Sequence, residues 1–83
     1  MRAEQFLPDE VDQIDVCGTT IRKGTVAAFL CNARVWCDAR AIDEARAEAE
    51  ADMRDALPVL RALELFDVFE IRDPALRAWV LSH

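Results

Sequence analysis

The sequence predicts a small α+β domain, a β-hairpin plus a third strand with two or three helices packed on one face, in the order β-β-α-α-β-α. Three observations carry that prediction. The tetrapeptide Cys17-Gly18-Thr19-Thr20 has turn chemistry and lies between short runs that alternate apolar and polar residues. Two stretches further on repeat their apolar residues at helical spacing. The run from Phe66 to Arg72 has the aromatic and β-branched composition of a strand.

The hairpin follows from Gly18, which suits the first central position of a type II′ turn because that position needs positive φ. This register sets Val16 against Ile21, Asp15 against Arg22 and Ile14 against Lys23. Apolar pairing on one face and an ion pair on the other then agree. Gly24 ends the second strand, and Thr25 is the expected N-cap of a helix over 26–38. On that helix Val26, Phe29, Leu30, Ala33, Trp36 and Cys37 fall on one bulky flank. The opposite flank is mostly small: Ala27, Ala28, Cys31 and Val35, with Asn32 and Arg34 at its margin. A helix this apolar all round is expected to be buried centrally.

Asp43 is placed to cap a second helix, over 43–65. Its stripe of Ile42, Ala45, Ala49, Met53, Ala56, Leu57, Leu60 and Leu63 keeps phase through Pro58, which projects away from it. One kinked helix is therefore expected rather than two. Outward pairs Arg46–Glu50 and Glu50–Arg54 are at i,i+4 spacing. In the third strand, Phe69 and Ile71 face one way and Phe66 and Val68 the other, so both faces carry apolar residues. Asp73-Pro74 opens a short last helix, with Leu76, Trp79 and Val80 on one side. The chain reads as one domain over 1–83, with 1–12 its more loosely ordered part.

Composition narrows function mainly by exclusion. The net charge is -6, from 10 basic and 16 acidic residues, which argues against binding nucleic acid or an anionic membrane surface. The longest apolar run, Val26–Cys31, is far below the roughly 20 residues of a membrane span. Residues 1–12 contain Glu4, Asp9, Glu10 and Asp12 and show no signal-peptide pattern. Three cysteines in such a chain read as reduced thiols of a cytoplasmic protein. Fourteen alanines and an arginine bias suggest GC-rich, bacterial coding.

No catalytic constellation is expected. His83 is the one histidine and the last residue of the sequence, a position poorly held unless something ties it down. There is no tyrosine, and Lys23 is the one lysine. Cys31 and Cys37, six apart, would have Cα atoms about 9 Å from one another along a helix, too far for a disulfide. Both are expected to be buried, which leaves Cys17 at the turn as the exposed thiol. Neither a zinc set nor any other cofactor motif is present. The carboxylates Glu44, Glu48, Asp52 and Asp55 read as a solvated helix face.

The reading that remains is a non-enzymatic protein–protein interaction module, with a homodimer as one form of that contact. Its candidate interface is Ala27, Ala28, Cys31, Asn32, Val35 and Trp79, where small residues would let another helix approach closely. The last helix of the same chain is the expected cover for that flank. The alternative is a small anionic ligand held at the junction 22–28 by Arg22, Lys23, Thr25 and the amides after Gly24.

Overall fold

Fold formation begins with apolar residues on three helices that can only be buried against one another. A computed structural model describes residues 13–16, 18–22 and 24–83. The described elements are β1 (Gln13–Val16), β2 (Thr19–Arg22), α1 (Thr25–Cys37), α2 (Asp43–Ala62), α3 (Leu65–Val68) and α4 (Pro74–Ser82). The expectations for residues 1–12, Cys17 and Lys23 lie outside the described residues.

The α+β class is not what forms. Helices dominate and pack on one another, chiefly α1 on α2, and among the described residues no three-stranded sheet lies beneath them. The predicted third strand is the short helix α3, then an extended Phe69 and irregular chain over 70–72 that pairs with no strand among the described residues. Tertiary packing overrides β propensity here. Leu65, Phe66 and Ile71 pack against the core, while Val68 and Phe69 are left outside.

The two-stranded hairpin does form, but two positions away from the expected register. Val16 pairs with Thr19, Asp15 with Thr20, Ile14 with Ile21 and Gln13 with Arg22. Gly18, at φ 80°, is therefore the second residue of the two-residue loop, not the first. The directly opposed Asp15–Arg22 pairing is replaced, while apolar-with-apolar pairing survives at Ile14–Ile21. Strand β2 lies against α2.

Gly24 is the N-cap of α1, at φ 88°, a conformation that favours glycine over any L side chain. Thr25 is the first helical residue rather than the cap. Its hydroxyl donates backwards to the Arg22 carbonyl at 2.8 Å. Asp43 likewise stands inside α2, whose cap residue is Ile42. With Glu44 it places negative charge in the first turn, where the helix dipole favours it.

Helix α2 runs unbroken through Pro58, as the preserved stripe requires. Pro58 is exposed, so the bond its missing amide cannot make is lost on the water side. Ala49, Met53, Leu57 and Leu60 are buried, whereas Ile42 at the start of the stripe is exposed. The helix stops at Ala62 rather than residue 65. Glu64 adopts a left-handed conformation, φ 58° and ψ 31°, and turns the chain into α3. For a residue with a Cβ this costs about 1 kcal/mol.

The core is the meeting of three helices. Phe29 and Ala33 come from α1, Met53, Leu57 and Leu60 from α2, and Trp79 and Val80 from α4. Trp36 and Trp79 meet with ring centroids 6.1 Å apart, and Phe29 meets Phe66 edge-on at 6.2 Å. A polar clip joins α1 to α2. Trp36 Nε1 donates to Glu50 at 3.1 Å, and Arg46 Nε donates to the Trp36 carbonyl at 3.2 Å. Arg46 is thus engaged by α1, and of the two expected outward pairs Glu50–Arg54 forms, at 3.2 Å. Asp73 caps α4 by accepting from the Leu76 amide at 2.9 Å, with Pro74 next.

Candidate functional site

The outward flank of α1 is an exposed, largely apolar surface. Helical spacing brings Ala27, Cys31 and Val35 into line at i, i+4 and i+8, with Ala28 and Leu30 on either side. All five are exposed, Leu30 at 56% and Val35 at 38%. Arg34 and Asp38 add the charged residues of this flank, and Asn32 is half-buried at its margin. The expectation of a centrally buried α1 is corrected. Helix α4 packs on the bulky flank, through Trp79 against Trp36, and leaves the small-residue flank uncovered.

Trp79 does not belong to that surface. At 8% exposure it is a core residue, and its buried indole N–H has no hydrogen-bond partner among the described residues. The cost of that orphan donor is accepted for the ring's packing. The expectation that Cys31 and Cys37 are buried is also corrected, since both are exposed and free. Cys31 is central to the exposed flank, and Cys37 is turned about 120° from it. Partial desolvation pushes the Cys37 thiol up, Asp73 adds to the rise and Arg46 opposes it.

At the proposed anion junction Arg22 is exposed and Thr25 half-buried. The Thr25 hydroxyl is already committed as a donor to the Arg22 carbonyl, which leaves that hydrogen unavailable to a ligand. No group of three or more metal-ligating side chains occurs among the described residues, and Glu44, Glu48, Asp52 and Asp55 are exposed on α2.

His83 is held firmly, against the expectation for the last residue of a sequence. Its ring stacks on Trp79 with centroids 4.4 Å apart, and Nδ1 approaches the Trp79 carbonyl at 2.7 Å. A carbonyl only accepts, so Nδ1 carries the hydrogen and donates it. Ser82 Oγ lies 3.3 Å from the same nitrogen but donates to the same carbonyl at 3.0 Å. This Ser–His contact is therefore not wired as nucleophile and base.

A second apolar surface was not recognised from the sequence. Val68, Phe69 and Leu81 are exposed at 74%, 65% and 80%. Beside them run two adjoining depressions of about 320 and 250 Å³ that share Phe66, Val80 and Leu81. The signal was present in the run 66–72, whose two apolar faces cannot both be covered by one core. No helix among the described residues is long and apolar enough to cross a membrane. No protein-family model, curated protein or solved structure matches the chain.

Proposed function

We propose that this protein acts by protein–protein contact, with the outward flank of α1 as its docking surface and a homodimer as one form of the contact. The observation that carries this reading is the exposure of Ala27, Cys31 and Val35, in line along one face of a 13-residue helix, with Leu30 exposed at the edge of that face. Exposed apolar residues scattered singly need no explanation, but neighbours along one helix face form a patch. Ala27 and Ala28 beside them leave room for a second helix to approach to about 8–10 Å between axes. Arg34 offers a positive charge on this flank, whereas Asp38 is already paired with Arg40 at 3.7 Å, and that single charge would help to orient a partner.

The test is solution mass by light scattering at low and high micromolar concentration, with and without reductant, for the native chain and for Leu30→Glu with Val35→Glu. Both positions are at least partly exposed, so the variant is expected to stay folded, with a urea midpoint lowered by about 1–2 M. A dimer that survives reductant and falls to monomer in the variant supports self-contact through α1. If the native chain is monomeric, a partner retained from native lysate by the native chain and released by the variant supports a different occupant. Mass and retained partners that both ignore the substitutions would sink the proposal.

A further inference from the structure

The surface formed by residues 64–71 and α4 shares no residue with the α1 flank, and its charges say more about an occupant. Its floor is Phe66, Ile71 and Val80, all packed toward the core, with Phe69 and Leu81 standing exposed at the edge. The basic residues around it are already engaged. Arg77 is paired with Glu70 at 3.0 Å and donates to the Ile71 carbonyl at 3.3 Å. Arg61 donates to the Val80 and His83 carbonyls at 3.1 and 3.2 Å, so its charge is held at the C-terminal end of α4. Glu64 and Asp67 line the same depression, are exposed, and form no salt bridge among the described residues.

From an apolar floor whose one end carries two carboxylates, Glu64 and Asp67, against one cation, Arg61, whose fork is tied to the α4 carbonyls, we infer that this groove receives a short segment of another protein that presents apolar side chains flanked by lysine or arginine. Apolar residues would sit over Phe66, Ile71 and Val80, between Phe69 and Leu81. Basic residues would reach Glu64 and Asp67. A second copy of this chain fits less well. In a two-fold contact the acidic end of one copy would lie over either the acidic end of the other or its Glu70–Arg77 end, where the arginine is already neutralised, and the net charge of -6 opposes the approach. Binding should be weak and transient, as for interfaces below about 1,200 Å². The α1 reading stands or falls separately.

The experiment is a backbone amide NMR titration of the full chain with three synthetic peptides: leucines flanked by lysines, the same leucines flanked by glutamates, and the lysine version with serines for leucines. Saturable shifts confined to 64–71 and 76–82 with the first peptide alone are expected. Glu64→Lys with Asp67→Lys should then weaken binding about three- to tenfold, as two exposed ion pairs allow. Phe69→Ser, at an exposed position, should abolish it. Glu44→Lys with Glu48→Lys should leave it unchanged, and an equal loss there would reduce the effect to general charge attraction and overturn the proposal. So would absence of shifts at millimolar peptide, equal binding of the glutamate version, or concentration-dependent shifts at 64–81 without peptide, which would assign the groove to a second copy.

Discussion

Leu60 and Leu30 allow one substitution to be made in two environments, and the contrast tests how this chain divides its surface. Leu60 is fully buried and Leu30 is 56% exposed. Truncation to alanine removes three carbons, at about 0.8 kcal/mol each when fully buried, or about 2.4 kcal/mol of transfer free energy. At Leu60 the cavity left in the core it shares with α1 and α4 adds to this, so Leu60→Ala should cost about 3–4 kcal/mol. At Leu30 less than half of the transfer term applies, and alanine's higher helix propensity offsets some of it, leaving about 0.5–1 kcal/mol. A domain of this length has a total stability of roughly 4–12 kcal/mol. Leu60→Ala therefore removes a large share of it and Leu30→Ala does not.

Urea unfolding followed by tryptophan emission reads both, because the packed pair Trp36–Trp79 separates on unfolding. With a slope of about 1 kcal/mol/M, the midpoint should fall by about 3 M for Leu60→Ala and by less than about 1 M for Leu30→Ala. Equal losses would refute the reasoning, because Leu30 would then be covered in the dilute protein. A Leu30 cost that grows with protein concentration would instead show self-contact through α1.

Other consequences follow from single residues. Glu64→Gly relieves the left-handed backbone, and after glycine's extra chain entropy should leave a gain of about 0.5 kcal/mol, a rise of roughly 2–4 °C in Tm by calorimetry. Asp73→Ala removes the cap on the Leu76 amide and should lower stability by about 1 kcal/mol in urea; no change would mean α4 is held by Trp79 and Val80 alone. Alkylation followed by peptide mass spectrometry should modify Cys31 faster than Cys37. Raising a thiol's pKa lowers its thiolate fraction at any pH below that value, so Cys37 should lag most near neutrality and catch up as pH rises.

Where local patterning and tertiary packing agreed, the sequence was readable. The stripe through Pro58 marked α2 as continuous because phase is a property of one helix, and an outward proline breaks only a water-side bond. Asp73-Pro74 marked the start of α4 by cap chemistry alone. The hairpin was legible as an element, but its register was not. Gly18 satisfies positive φ at either central position of a two-residue loop, and the attraction between Asp15 and Arg22 favoured the wrong choice.

The third strand failed because β propensity says only that a segment fits a pleated surface, and among the described residues no strand lies beside 66–72 to supply one. Leu65 and Phe66 gained more by turning once as a helix onto the core. The candidate surface was half legible. Spacing named Ala27, Ala28, Cys31 and Val35 as one flank, but not that it would stay exposed. That depends on which flank α4 chooses, and the pairing of Trp36 with Trp79 decides it. Leu76, Trp79 and Val80 at i, i+3 and i+4 mark the side of α4 that packs, but that spacing fits a core anchor and a partner-facing aromatic alike, and the structure makes Trp79 a core residue.

Cys31 offers the most direct test of a docking role for α1, since its thiol is at the centre of the exposed flank while Cys37 on the same helix faces elsewhere. Isotope-coded alkylation should be timed at both cysteines, in the purified protein across a range of concentration and in native lysate at low protein. Slower labelling of Cys31 relative to Cys37, either with rising concentration or in lysate, is the result expected of a surface that a partner covers. A Cys31 to Cys37 ratio that stays constant in every condition would contradict a docking role for this helix.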